Sequence, residues 1–144
     1  MLKLRKNKKG FTLVELIVVI AIMAVLAGTV AGVTVSQLNK QTDKSGDTQA
    51  KLIADYVVQE IGANRDNVLD ESGDTATFKE GFETNITTNM KNDKIGFTTG
   101  SDKGKIKVTV ADASVTIVYY AKASGGQDIT YTVDTEGKIT RTAA

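Results

Sequence analysis

Twenty-five consecutive residues, Phe11 to Val35, contain a single charged side chain, Glu15, and follow nine residues that carry five cations and no acid: Lys3, Arg5, Lys6, Lys8 and Lys9. As a helix this segment would reach about 37 Å, more than the ~30 Å hydrocarbon core of a bilayer. It is expected to cross a membrane once. The preceding cations keep residues 1–9 cytoplasmic and send everything after Val35 outward. A carboxylate at the bilayer centre costs ~3 kcal/mol and is usually paired and functional. Glu15, however, lies only about 6 Å along the helix from Phe11, near the interface. Position alone therefore leaves two readings, an interfacial charge within reach of Lys8 or Lys9, or a functional carboxylate.

Gly10 to Ile22 reads G-F-T-L-V-E-L-I-V-V-I-A-I behind its short basic leader. This long, ordered motif resembles the class III signal of type IV prepilins and the related pseudopilins. The resemblance implies that a membrane prepilin peptidase cuts between Gly10 and Phe11 and methylates the new amine of Phe11. It also implies that Glu15 is the family's membrane-buried glutamate. In a helical filament Glu15 of one subunit can then meet the Phe11 ammonium of a neighbour, so that two charges costly in an apolar core neutralise each other and set the axial register. Detailed resemblance covers about 25 N-terminal residues, and the rest agrees only in layout.

Other readings of the same stretch exist. Leu16 to Leu26 would serve as the apolar region of an ordinary secretory signal, with cleavage after Ala27 releasing a soluble domain. Against that, an acid sits at its mouth and apolar sequence continues for eight residues past Ala27. A membrane-anchored adhesin would instead keep its leader. Gly28 and Gly32 form a small-xxx-small pair that lets helices approach closely, and each weakens a helix by roughly 1 kcal/mol relative to alanine. In type IV pilins a proline often stands where Gly32 does and helps the helix unwind in the filament. Close packing and local unwinding around residues 24–33 both remain open.

The chain has 144 residues, and 109 follow Val35, enough for one modest core. Net charge is +1, of which the leader supplies +5, leaving −4 for residues 11–144. That balance gives no basic face for nucleic acid, and whether nucleic acid is a partner stays uncertain. Cysteine is absent, which excludes a disulfide, a thiolate metal site and a lipidated cysteine. Many pilins of two-membrane bacteria close a C-terminal loop with a disulfide, so the departure points by family habit to an anaerobic or single-membrane bacterium. Without proline no L-P-x-T-G sorting signal exists. Histidine is absent too, so the commonest general base, transition-metal ligand and thiol nucleophile are all missing, and no enzyme is expected. Gly100 to Ile106, G-S-D-K-G-K-I, is one residue short of a phosphate loop, lacks its Ser/Thr and leads into a strand, so it reads as a lysine-bearing turn.

Residues 36–49 are polar, with Leu38 the lone large apolar side chain, and read as an exposed helix or a flexible neck that Gly46 could break. Ala50, Ile53, Ala54, Val57 and Ile61 recur at helical spacing, widened by Leu52 and Tyr56, and predict an amphipathic helix over about 50–61. If helix is continuous from Phe11 to Ile61, it extends about 75 Å. Residues 63–76 read as a surface loop anchored by Val68 and Leu69. Its Asp70, Glu71 and Asp74 lack the ligand order of a calcium loop. Phe78, Phe82, Ile86 and Met90 suggest one face of a second helix, with an extended segment as the alternative. The last third alternates with period two in K-I-K-V-T-V-A (105–111), S-V-T-I-V-Y-Y-A (114–121), D-I-T-Y-T-V-D (128–134) and K-I-T-R (138–141), separated by turn-rich pieces. These predict a four-stranded antiparallel meander over about 105–142. Its buried face would carry Ile106, Val108, Val110, Val115, Ile117, Ile129, Tyr131, Val133 and Ile139.

The expected protein is α+β and type IV pilin-like, with a long N-terminal helix packed on a C-terminal antiparallel sheet. Residues 1–10 are its cleaved leader, 11–35 its transmembrane and filament-core helix, and 36–144 its extracytoplasmic head. The resemblance implies a structural subunit of a surface pilus serving adhesion, motility or biofilm formation, or alternatively a pseudopilin of a secretion or DNA-uptake system. It implies as partners other copies of the chain in a helical homopolymer, the prepilin peptidase and methylase, membrane lipid before assembly, and an assembly platform driven by a cytoplasmic ATPase. No cofactor or metal is expected.

Overall fold

The computed structural model describes residues 10–91 and 96–143. The basic leader, including Lys8 and Lys9, lies outside them. The architecture is α+β: helix α1 (Leu13–Ala63), short helix α2 (Arg65–Val68), strands β1 (Leu69–Ser72) and β2 (Thr75–Phe78), helix α3 (Phe82–Asn89), then strands β3 (Ile106–Ala111), β4 (Ser114–Tyr119), β5 (Ile129–Asp134) and β6 (Ile139–Ala143). Two compact units divide the chain, residues 1–37 and residues 38–144.

In the first unit every described large apolar side chain, from Phe11 to Val35, is exposed. Within this unit the helix has no packing partner, and among the described residues α1 is the one helix long and apolar enough to cross a membrane. A stripe that is hydrophobic all round needs apolar surroundings, lipid or other helices.

The second unit is built on the meander foreseen from the alternating pattern. Strand order is β3-β4-β5-β6, each pair antiparallel. Register puts Ile106 opposite Tyr119, Val108 opposite Ile117, Ile117 opposite Tyr131, and Val115 opposite Val133, so one face is continuous and apolar. The other face carries Thr109, Thr116, Thr132 and Thr140 in one row across all four strands. Threonine suits that position because it combines β propensity with a hydroxyl for solvent. The inner face is covered by Gly46, Ala50, Ile53, Ala54, Val57 and Ile61 of α1, all buried, as the spacing of that stripe predicts.

Four details differ from the sequence reading. Tyr119 is the largest of the fully buried side chains, and it belongs with the inward set because it shares the parity of Val115 and Ile117. Ile129, Ile139 and Val110 are only partly buried at its margin. Residues 63–76 are not a loop: α2 leads into a hairpin that pairs Leu69 with Phe78 and Ser72 with Thr75. Its two-residue turn places Gly73 at φ 65°, the arrangement of a type II′ turn with glycine at the first central position. The second helix begins at Phe82 and excludes Phe78, since Gly81 at φ 86° redirects the chain before it. The Phe78 and Phe82 rings still stack, with centroids 5.9 Å apart.

Of the two readings of the polar stretch 36–49 the helix holds, since it is helical throughout, but it is not wholly exposed. Gly46 is buried, and a Cβ there would lie 2.2 Å from the Tyr119 ring, so glycine is what lets the ring rest on the helix backbone. One turn earlier Asp43 receives the ring's hydroxyl: Tyr119 Oη donates to Asp43 Oδ1 at 2.9 Å. The Lys122 amide donates to the same oxygen at 2.7 Å, and the Ala123 amide donates to Oδ2 at 3.0 Å. One turn later Asp47 accepts from Tyr131 Oη at 2.7 Å and from Arg141 at 3.1 Å. Desolvation pushes the Asp43 carboxyl upward, but the two amides and the Tyr119 hydroxyl outweigh it and hold it below the usual aspartate range. Burial, followed by the neighbouring carboxylate, pushes the Tyr119 hydroxyl well above its ordinary value.

Two expectations follow. A group whose folded pKa is depressed stabilises above its unfolded value, here 3.8, and loses that contribution as pH falls through the folded value. Asp43→Asn should therefore be destabilised by about 1–3 kcal/mol at neutral pH, from the donors it leaves poorly satisfied, and should lose less stability than the parent below pH ~4. Denaturant titrations of the detergent-solubilised chain at several pH values check this, and identical acid limbs would remove Asp43 from the account. Gly46→Leu should cost about 2 kcal/mol or more by driving a side chain into Tyr119, lowering Tm by roughly 10 °C in near-ultraviolet circular dichroism. An unchanged Tm would contradict the close approach.

Candidate functional site

The residues singled out by sequence cluster at the start of α1. Gly10 and Phe11 precede the helix, Thr12 is its N-cap, and Leu13, Val14 and Glu15 form its first turn. The local reason is reciprocal capping. Glu15 N–H donates to Thr12 Oγ1 at 3.3 Å, while Thr12 N–H donates to Glu15 Oε2 at 2.8 Å. The Thr12 hydroxyl also donates to Glu15 Oε2 at 2.8 Å. T-L-V-E is thus a capping box, in which threonine and the glutamate three residues later satisfy amides that the first helical turn would leave unpaired. The motif was visible in the sequence and was missed beside the stronger hydropathy signal.

This geometry changes what Glu15 is within a single chain. Its carboxylate is neither bare nor in need of a lysine, because it accepts two short hydrogen bonds from Thr12 and sits where the helix dipole favours negative charge. It is exposed at the helix surface, as is Phe11, whose side chain is 92% exposed. Among the described residues no cation pairs with Glu15 and no side chain covers Phe11.

Gly10, Gly28 and Gly32 behave alike. A Cβ built at any of them would meet no other atom within 4 Å. Among the described residues, then, no close contact requires glycine at any of the three positions. Residues 24–33 are helical in the chain, with the Thr29 hydroxyl donating back to the Leu26 carbonyl at 2.9 Å. Among the described residues no group of three or more acidic side chains is placed to hold a metal ion. Two of the three hairpin acids pair with cations: Glu71 with Arg65 at 2.6 Å and Asp70 with Lys79 at 3.4 Å. The segment 100–104 is a turn before β3, in which the Asp102 carboxylate accepts from Thr98 Oγ1 at 2.7 Å.

Residues 5–31 match the family model described as the prokaryotic N-terminal methylation motif. That model describes a processing signal and not an enzyme. No curated protein and no solved structure matches the chain.

Thr12→Ala removes the hydroxyl that both caps the helix and holds Glu15. It should cost about 1 kcal/mol, confined to the first turn. Amide exchange of the precursor in detergent micelles would then speed several-fold at residues 13–16 and stay unchanged beyond residue 20. Uniform exchange along the helix in both proteins would contradict the capping role.

Proposed function

From a chain that carries the class III signal characteristic of type IV pilins and pseudopilins, we propose a structural subunit of a type IV pilus that polymerises through its N-terminal helix. The precursor inserts with residues 1–9 inside, a prepilin peptidase cuts between Gly10 and Phe11, and the same machinery methylates the Phe11 amine. Residues 11–35 then move from lipid into a helical bundle of identical segments, with an assembly platform and a cytoplasmic ATPase supplying the work. Residues 36–144 are displayed outside, where the filament serves adhesion, motility or biofilm formation.

The observation that carries this reading is the helix end itself: an exposed apolar segment, residues 11–35, whose one carboxylate is partnered by Thr12 among the described residues. Cleavage would place a new ammonium on Phe11, four residues before Glu15. In a bundle the ammonium of one subunit and Glu15 of the next can neutralise one another in apolar surroundings, where each alone is costly. The absence of side chains at Gly28 and Gly32 lets helices approach closely. A pseudopilin would use the same contacts in a shorter assembly. A soluble domain released after Ala27 would discard Glu15 and the anchor together.

The test is the mature N-terminus of the protein from its own cells, read by mass spectrometry, together with Glu15→Ala. The expected parent chain begins at N-methylated Phe11. Glu15→Ala should be processed normally yet yield at least tenfold fewer surface filaments by electron microscopy. Wild-type filament number in that variant would discard the charge pairing, and a chain beginning at Gly28 would discard the pilin reading.

A further inference from the structure

Glu83 to Thr87 reads E-T-N-I-T and contains the sequence's one Asn-x-Ser/Thr triplet, Asn85-Ile86-Thr87. Such a triplet is the acceptor for N-linked glycosylation, in which the side-chain amide nitrogen takes the sugar and the hydroxyl two residues later is needed for recognition. Chance supplies such triplets often, so the structural setting decides.

Here α3 holds the triplet with Asn85 exposed, Ile86 fully buried as the anchor, and Thr87 partly buried. The carboxamide of Asn85 is held by its oxygen. Oδ1 accepts from Tyr56 Oη at 3.3 Å and from Asn89 Nδ2, and Asn89 Nδ2 also donates to Tyr56 Oη at 2.9 Å. Nδ2, the atom a glycan would occupy, donates no hydrogen bond among the described residues. A glycosylated asparagine keeps its carbonyl oxygen, so the cluster with Tyr56 and Asn89 survives the modification. The folded head thus accommodates the product without losing a contact.

Access for the enzyme follows from how weak α3 is. Its eight residues include three threonines and two asparagines, and Gly81 at its N-cap offers no side-chain hydrogen bond. Helices this short are marginal alone and these residues are poor helix formers. Thr87 Oγ1 is occupied inside the helix, donating to the Glu83 carbonyl at 3.0 Å and the Thr84 carbonyl at 3.2 Å. Recognition therefore requires the turn to open, which is easiest before Phe82 and Ile86 dock into the core.

We propose that Asn85 is an N-glycosylation site, modified by a transferase that draws on a lipid-linked oligosaccharide at the outer membrane face. The proposal rests on the reading that residues 36–144 are exported, and the membrane helix keeps the emerging chain beside such a donor. Asn85 Nδ2 bonds to the anomeric carbon, the carbon–oxygen bond to the lipid phosphate breaks, the phosphate leaves with the bonding pair, and a transferase base takes the amide proton.

The test uses one tryptic digest of the full protein from its own cells. Fragment 80–91 holds the triplet, and fragment 11–40 reports N-terminal processing independently. Fragment 80–91 is expected to be heavier by a whole number of sugar residues placed on Asn85. The added mass should disappear in Thr87→Ala and persist in Thr87→Ser, which separates recognition of the hydroxyl from any loss of folding. Fragment 80–91 at only its unmodified mass overturns the proposal, whatever fragment 11–40 shows. A methylated Phe11 alongside that result leaves the pilin reading intact, whereas an unprocessed leader beside a sugared Asn85 would overturn that reading alone.

Discussion

The head depends on one contact more than any other: the Tyr119 ring lying on bare helix backbone at Gly46, with its hydroxyl on Asp43. An antiparallel meander with one apolar face is unstable without a cover. A helix covers it only if register along the helix is fixed. Leucine-like side chains alone permit sliding by a turn, because every turn offers a similar surface. Tyr119 does not permit it. Its ring fits only where a side chain is missing, and its hydroxyl, buried with it, must find a partner at the right height. Asp43 sits one turn from Gly46 and supplies that partner while also taking two amides from the segment after β4. Steric and polar requirements thus select the same register.

In the N-terminal unit the constraint is opposite in kind, because nothing among the described residues satisfies it. The capping box pairs the Thr12 and Glu15 amides at the helix start, which lowers the cost of taking that end into an apolar phase. The apolar surface is left wholly to the surroundings. Alanine or leucine in that first turn would insert into lipid at lower cost, and what glutamate adds within one chain is its cap on Thr12. Within the proposed assembly, the cost of the carboxylate is tolerated singly by those local hydrogen bonds and relieved by a cation that arrives later. On the proposed function, that cation is created only by cleavage, which orders processing before assembly without further machinery.

What the sequence disclosed, and what it hid, follows from the range of each interaction. The membrane segment, the Ala50 to Ile61 stripe and the four strands are periodic, and period survives without knowledge of partners. The hairpin at residues 69–78 was signalled by Gly73-Asp74 between short β-prone pieces but was masked by its acidic composition. Tyr119 could have been placed by continuing the parity of Val115 and Ile117; the doublet Tyr119-Tyr120 at a strand end obscured which ring turns inward. Asp43, Gly46 and Asp47 could not have been found this way. In isolation they are an ordinary polar stretch with a helix-weakening glycine, and their roles exist only through partners more than 70 residues away. At the N-terminus the motif pointed to Glu15 but not to its local partner, although T-x-x-E is a short-range signal. Gly28 and Gly32 meet nothing among the described residues, and the proposed filament is where they would find partners.

Without a disulfide, the C-terminal strands need another fastening, and the helix provides it one turn after the first. Asp47 draws together the Tyr131 hydroxyl from β5 and Arg141 from β6, while Arg141 Nε donates to Tyr131 Oη at 3.1 Å. The Arg141 guanidinium also stands 5.9 Å over the Tyr131 ring. A half-exposed ion pair alone contributes little. Here the pair is tied to a hydroxyl from a mostly buried ring, so breaking it also disturbs a core side chain. Two carboxylates on successive turns of one helix thereby fasten the β4–β5 segment and the edge strand β6. A covalent clamp would be indifferent to acid. The Asp43 part of this one is acid-sensitive, because that carboxyl is held below the usual aspartate range and its contribution fades as pH falls through the folded value.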